Sequence, residues 1–417
     1  MKKIILILLI LIPYGLLAQQ SWSIDNCQAK ARENYPLIKR YGLIEKTKEY
    51  TISNAAKGYL PQISMMARAS YQSDVTSIPI DIPGVKGLSK DQYTATIDIN
   101  QIVWDGGGIQ SRKQIAEANS VVEQQQLNVD LYTLENRINQ LFFGILLFDA
   151  QLEQNKILQD NLQQNYTTIS SYKENGIANQ ADLDAVKVEV LKAQQMESQL
   201  KSGKESYTEM LVAMLGEPVD KEISLIKPDV EQLIFSTQIN RPELRLFEAQ
   251  QQLFESQKKL ITSTYMPTLS VFLQGGYGRP GLNMLKDEFS PFYIGGVRLY
   301  WNFGNLYTQK NDKRKLEINQ NSVDTQKETF LFNTNLQVSQ TNNEIKKMKE
   351  LLRYDDEIIL LRENVRKSAE AKVANGTLTV TELMREINAE NIAKQEKATH
   401  EIQLLMAIYN LKNTTNN

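Results

Sequence analysis

"YLPQISMMARASY" runs from Tyr59 to Tyr71, and "YMPTLSVFLQGGY" runs from Tyr265 to Tyr277. Each copy has Tyr, an apolar residue and Pro, then alternating apolar and polar residues that close on Tyr. The starts lie 206 residues apart. The repeat extends upstream at the same offset: "NYPLIKRYGLIEKTKEYTISNAAKGYLPQ" from Asn34 matches "NRPELRLFEAQQQLFESQKKLITSTYMPT" from Asn240. Pro36 and Pro242 suit the first turn of a helix, where a missing N–H is harmless. Each helix is expected to run to the next proline, Pro61 or Pro267, which opens a strand. Farther on the offset becomes 200, pairing Tyr93 with Tyr293, Asn175-Gly176 with Asn375-Gly376, and Asp182-Leu183 with Glu382-Leu383. The six missing residues belong in an exposed loop, between Tyr71 and Tyr93 in the first copy, where "SIPIDIPGVKGLSK" (77–90) lies, and between Tyr277 and Tyr293 in the second, where "RPGLNMLKDEFS" (279–290) lies. Each copy therefore reads helix, strand, loop, strand, long helix, turn, helix.

The strands alternate with period two, the mark of a strand with one apolar face. Ile63, Met65, Ala67, Ala69 and Tyr71 share a side opposite Ser64, Arg68, Ser70 and Gln72; Ala95, Ile97, Ile99 and Val103 alternate with Thr94, Thr96, Asp98 and Asn100. In the second copy Val297, Leu299 and Trp301 alternate with Arg298, Tyr300 and Asn302, while Leu269, Val271 and Leu273 alternate less cleanly with Ser270, Phe272 and Gln274. Tyr71, Tyr93, Trp104, Tyr277, Tyr293 and Trp301 sit near the strand ends, the pattern of a membrane barrel with aromatic girdles. A soluble sandwich is the competing reading.

The helices carry a stronger signal. Leu127, Leu131, Leu134, Ile138, Leu141, Ile145, Phe148 and Leu152 step alternately by four and three, a heptad seam that calls for coiled-coil packing. Beyond Asn175-Gly176 the spacing continues through Leu183, Val186, Val190, Ala193, Leu200, Tyr207, Leu211 and Met214; the second hairpin has a weaker seam. At ~1.5 Å per residue the longer arms reach ~100 Å, far beyond a compact domain.

Composition narrows the function. The start "MKKIILILLILIPYGLLAQQ" has the basic, apolar, small-residue order of a signal peptide, with cleavage expected near Ala18 or Gln19; a membrane anchor is the alternative, against which Pro13 and Gly15 interrupt a short run. No other stretch is apolar enough for a spanning helix, so a membrane crossing would have to be a β-barrel. One cysteine, Cys27, permits no intrachain disulfide, and one histidine, His400, reads as a surface residue on a charged helix. Without His or Cys clusters there is no basis for zinc or Ser-His-Asp chemistry. Net charge is -2 with scattered basic residues, which argues against nucleic acid as a partner. "WDGGGIQ" from Trp104 raises a phosphate cradle, but it lacks the dinucleotide spacing and any surrounding βαβ unit. Its glycines are read as a sharp strand-to-helix turn, as is "WNFGNLY" from Trp301.

In this order and duplicated, the pieces resemble the TolC family of outer-membrane efflux proteins over essentially the whole chain after the leader. The residues that carry the resemblance are "RPELRLFEAQQQL", "YMPTLSVFLQGGYG", "IVWDGGG", "LYWNFGN", "YKENGIANQADLDA" and "AKVANGTLTVTELMREINA". The resemblance implies a mainly α chain with a membrane β-barrel portion: a homotrimer in which each copy gives four strands to a shared twelve-stranded barrel in outer-membrane lipid and one third of a periplasmic helical tunnel. The strand count alone requires an oligomer, because about eight strands is the practical minimum for closure. The expected organisation is a signal peptide (1–19), a first repeat (20–215), a connecting segment packed outside the helices (216–239) and a second repeat (240–413). Strands are expected at about 62–72, 92–104, 268–278 and 292–303, and hairpins at about 108–215 and 306–412.

The resemblance also places the turns Asn175-Gly176 and Asn375-Gly376 at the periplasmic mouth, where a periplasmic adaptor (membrane fusion) protein docks. Glu382 falls where an acidic residue lines the narrow aperture, with Asp182 its first-copy partner. Two positions depart from the family pattern: Leu378 stands where an Arg is frequent, and Arg385 where a second aperture acid is expected, spaced to pair with Glu382. The functional expectation is a passive exit duct working with the adaptor and an inner-membrane pump, without cofactor, metal or catalytic residues. The alternative is a non-transporting coiled-coil scaffold of the envelope; an envelope enzyme lacks a convergent acid pair.

Overall fold

The structure is a computed structural model that describes residues 21–76, 87–218, 223–229 and 238–416. The expected leader, most of the first inter-strand loop and much of the connecting segment lie outside the described residues. The elements are β1 (Ser21–Trp22), α1 (Ile24–Asn34), α2 (Arg40–Ala56), β2 (Gln62–Tyr71), β3 (Asp91–Trp104), α3 (Gly108–Glu174), α4 (Gln180–Leu215), β4 (Ser224–Leu225), α5 (Pro242–Thr264), β5 (Thr268–Arg279), β6 (Ser290–Tyr300), α6 (Gln309–Ala374) and α7 (Val380–Thr415). No described helix is long and apolar enough to cross a membrane.

Packing divides the chain into two units that differ from the two repeats. One gathers Lys39–Val129 with Pro242–Leu331; the other gathers the chain up to Ile38 with Asp130–Arg241 and Phe332 onward. Each unit draws on both copies, so the repeat is a unit of sequence and not of packing.

The first unit holds an antiparallel sheet of order β2-β3-β5-β6, with β3 and β5 joining the copies. Register sets Ile63 opposite Ile99, Met65 opposite Ile97 and Ala67 opposite Ala95. The same side continues through Leu273 beside Ile99, then Val271 beside Val297 and Leu269 beside Leu299. The other side pairs Ser64 with Asp98, Arg68 with Thr94 and Ser270 with Arg298. The second copy's blurred alternation has a physical reason on this polar side. The Phe272 ring lies over Gly296, Phe292 lies over Gly276, and the Arg298 guanidinium stacks 4.7 Å above Phe272. The rings cover strand backbone that glycine leaves bare.

Helices brace this unit in pairs. Tyr41 on α2 donates to Asn128 Oδ1 on α3 at 2.5 Å, while α5 meets α6 through Phe247 against Phe330 at 5.9 Å and Lys258 donating to Gln320 at 2.7 Å. At the corner after β3, Gly106 and Gly107 take positive φ of 69° and 88°. Asp105 is buried there, and its carboxylate accepts from the Gly107 and Ile109 amides at 3.1 and 2.5 Å. A cap of this kind contributes about 1 kcal/mol. It also decides the glycine-rich motif: the donors a phosphate would use are taken by the chain's own carboxylate.

The second unit is helical around two apolar clusters. The larger joins Trp22, Ile24 and Cys27 to Ile138, Phe142 and Phe143 of α3, Leu211 of α4 and Ile402, Leu405 and Ile408 of α7. Cys27 is fully buried, and burial pushes its thiol up to about 12. In this unit the seam of α3 is buried from Leu131 through Ile145 and half-buried at Phe148 and Leu152; each fully buried Leu or Ile contributes about 1.5–3 kcal/mol. In this unit the α6 seam is thinner because polar residues share it: Thr334, Thr341 and Asp355 are buried along with Met348. The connecting segment is more than an outer strap: Ser224–Leu225 pairs in parallel with Ser21–Trp22, and Ile223 and Leu225 pack on the larger cluster.

Two helical glycines show how closely α3 and α4 approach. A Cβ on Gly144 would meet the Tyr207 ring at 2.5 Å, and one on Gly203 would meet the Phe148 ring at 2.7 Å. The two rings pack edge to face at 5.4 Å. Each helix thus gives a ring to the other's glycine.

Candidate functional site

The turns expected at the mouth have the same build in both copies. The chain leaves α3 through Gly176 at φ 74° and α6 through Gly376 at φ 69°, the left-handed region that glycine enters without strain. Asn175 Nδ2 donates back to the Ser171 carbonyl at 2.8 Å, and Asn375 Nδ2 to the Ala371 carbonyl at 2.7 Å. Backbone bonds from Ile177 to Tyr172 and from Thr377 to Lys372 close each helix end at 2.8 and 2.9 Å. Both turns are exposed, with nothing within 4 Å of a Cβ at either glycine.

The two acids do local work. Asn179 caps α4 with a reciprocal box: its Oδ1 accepts from the Asp182 amide at 3.1 Å, and Asp182 Oδ2 accepts from the Asn179 amide at 3.0 Å. Thr379 and Glu382 repeat the box on α7; Glu382 Oε2 accepts from the Thr379 amide at 3.1 Å and its hydroxyl at 2.9 Å. The Thr379 backbone bond, then its hydroxyl, and last the Arg385 charge hold the exposed Glu382 carboxyl below the usual carboxylate range. Arg385 makes its direct ion pair with Glu386, at 3.6 Å, and acts on Glu382 through its charge alone. The cap explains this: it turns the carboxylate back toward the helix start. Leu378 is half-buried and packs on the second cluster, where Leu162, Ile169, Leu183, Val186, Val373, Val380 and Leu383 bring the two hairpin ends together.

Between α6 and α7 lies a charge ladder that sequence reading missed. Buried Glu390 accepts from Arg366 Nε and Lys394 Nζ, both at 2.5 Å, and Arg366 also binds Glu370 at 2.5 Å. Arg362 reaches Glu386 at 3.5 Å, and Lys397 reaches Asp356 at 2.6 Å. His400, expected at the surface, is half-buried with Nδ1 2.8 Å from buried Asp355. The i,i+4 pairs Arg366/Glu370 and Glu390/Lys394 were visible in spacing; their cross-helix partners depend on the hairpin register. A hydrogen bond from Asn388 to Glu189, at 2.9 Å, links α7 to α4. A groove of about 540 Å³ runs along α3 and α7, lined by Asp149, Glu153, Lys227, Lys394, Lys397 and Glu401 among others. Mixed charge of this sort suits a protein surface more than a small apolar ligand. No group of three potential metal ligands occurs among the described residues.

The sheet supplies the other distinctive surface. Its apolar side is exposed at Ile63 (70%), Met65 (74%), Val297 (68%) and Leu299 (67%). β2 and β6 each pair on one side only among the described residues.

Residues 29–217 match the family profile described as outer membrane efflux protein. The fold is similar to that of several solved structures. These include the outer membrane protein VceC from the bacterial pathogen Vibrio cholerae, at 12% identity and TM-score 0.67, covering 93% of this chain and 95% of that one. CusC, whose structures concern folding and transmembrane channel formation, matches at 12% identity and TM-score 0.72, over 96% and 95%. The Campylobacter jejuni CmeC outer membrane channel matches at 12% identity and TM-score 0.66, over 94% and 85%. No curated protein matches by sequence.

Proposed function

Because the chain belongs, through residues 29–217, to the outer membrane efflux protein family and carries the fold of outer-membrane channels, we propose that it is a passive exit duct of the outer membrane. In this reading it is a homotrimer with a shared twelve-stranded barrel. Its helices extend into the periplasm, where they dock an adaptor protein fed by an inner-membrane pump. It performs no catalysis.

The observation that carries the reading is the exposed apolar side of a four-stranded sheet whose two edges are unpaired among the described residues. Water is a poor solvent for such a face: each Ile, Leu or Met left there forgoes about 1.5–3 kcal/mol of burial. Open edges in turn invite pairing with another chain, and four strands are about half of the smallest practical barrel. Lipid against the face and further copies against the edges resolve both problems. A soluble scaffold has no use for the apolar row. Extraction separates the two readings, since alkaline carbonate releases a scaffold and leaves a barrel in the membrane. Detergent-corrected light scattering should give a trimer, and a monodisperse monomer with full strand content would contradict the duct.

Within this proposal the exposed turns at Asn175-Gly176 and Asn375-Gly376 are the docking end. Asp182, Glu382 and Arg385 border the aperture. The capping boxes support a modest electrostatic part for the two acids, because each carboxylate is already held by its own helix start.

A further inference from the structure

The corner after β6 carries a surface that a duct does not need. Trp301, Phe303 and Leu306 are exposed, and Tyr307 is 87% exposed. In the next turn and a half α6 presents Lys310, Lys313 and Arg314, spaced by three and four so that they share one side of the helix. None of the three makes an ion pair among the described residues, whereas the adjacent Lys315 lies 3.6 Å from Asp312. The matching corner of the first copy differs: Arg112 lies 3.7 Å from Asp105, and Lys113 Nζ lies 5.9 Å over the Tyr59 ring. The first-copy bases are engaged by the chain itself, whereas Lys310, Lys313 and Arg314 make no ion pair among the described residues.

Three bases close together at a helix start favour an external anion. Like charges sit within one turn of each other, at the end of a 66-residue helix where the backbone dipole is already positive. An external anion complements both. The rings beside the bases continue the exposed apolar row of Val297 and Leu299, and aromatic residues followed by basic ones are the order met on leaving a bilayer core for its headgroup layer. We propose that Lys310, Lys313 and Arg314 bind the phosphodiester headgroups of anionic phospholipid, in the leaflet on the helical side of the sheet. The site rests on the outer-membrane reading above and adds a lipid preference confined to the second copy.

The full chain, purified in detergent, is reconstituted into nanodiscs of neutral phosphatidylcholine with a minor fraction of phosphatidylglycerol, and protein-retained lipid is quantified by native mass spectrometry. A basic residue at an anionic surface shifts partitioning by about fivefold, so phosphatidylglycerol should be enriched on the order of tenfold or more in the first lipid shell. The combined variant Lys310→Gln, Lys313→Gln, Arg314→Gln should lose that enrichment while entering nanodiscs as well as the parent. The control Arg112→Gln, Lys113→Gln should keep it, and inorganic phosphate should not compete. A parent with no preference, a triple variant that retains it, or equal loss in the control overturns the site. Failure of the parent to enter the nanodiscs overturns the membrane reading itself.

Discussion

Replacing Gly144 by Ala should destabilise this protein, although the same change in an ordinary helix interior stabilises by about 1 kcal/mol. The added Cβ would sit 2.5 and 2.6 Å from Cε1 and Cδ1 of Tyr207, against 3.4–4 Å for ordinary contact, so the ring must retreat by about 1 Å. Its way is blocked. Tyr207 packs edge-on against Phe148 at 5.4 Å, and Phe148 is itself seated over Gly203. Overpacking of this kind costs about 1–3 kcal/mol, which leaves a net loss of about 0–2 kcal/mol after the helix-propensity gain. With Tyr207→Ala the space opens, and Gly144→Ala should then stabilise by about 1 kcal/mol. The sign reversal is the readout, with a coupling of about 1–3 kcal/mol in the double-mutant cycle. Denaturant unfolding of the four variants in detergent, followed by helical circular dichroism, measures it. If Gly144→Ala stabilises the parent as much as the Tyr207→Ala background, the ring does not occupy the glycine's space and the account of the hairpin's close packing fails.

Gly376→Val puts a β-branched residue at φ 69° with open space around it, so the cost of about 1–3 kcal/mol is backbone strain alone; membrane insertion should be unchanged and adaptor affinity reduced, and unchanged affinity in a binding titration would remove the turn from the docking surface. Glu382 has a depressed folded-state pKa, so its contribution is full above the ordinary value of 4.5 and is lost as pH falls through the lower folded value. Protection of the amides at the start of α7 from hydrogen exchange, taken relative to the intrinsic rate at each pH, should therefore fall on acidification, and Glu382→Gln, which keeps the cap without titrating, should flatten that dependence. Cys27, buried with its thiol pushed up to about 12, should resist maleimide in the folded protein and react on unfolding; rapid labelling of the native state would contradict its packing.

The two copies, four strands and two hairpins were legible because each rests on a repeating pattern: period two in Ile63 to Tyr71, and threes and fours in Leu127 to Ile145. The turn glycines were legible because few residues tolerate positive φ. Contacts that depend on three-dimensional register were not. The β3–β5 pairing across copies leaves no mark in either strand alone, and Phe272 looked out of place until Gly296 was seen opposite it. Asp105 read as part of a glycine motif, whereas it closes the helix start. His400 was assigned from local sequence and found a partner that local sequence does not reveal, Asp355 across the hairpin, while Arg385 pairs with its sequence neighbour Glu386 because the cap holds Glu382 back at the helix start. The boxes at Asp182 and Glu382 could have been found, since Asn179 and Thr379 stand three residues before an acid at a helix start.

Single-channel recording in planar lipid bilayers tests the central claim most directly. Full-length protein added from detergent should insert to give discrete, long-lived, ohmic conductance steps, one per oligomer, with insertion dependent on the exposed apolar row. Val297→Asp together with Leu299→Asp should abolish insertion while leaving the helical circular dichroism signal intact. A protein that enters the bilayer yet carries no ionic current, or conducts equally well with both aspartates in place, would contradict the duct.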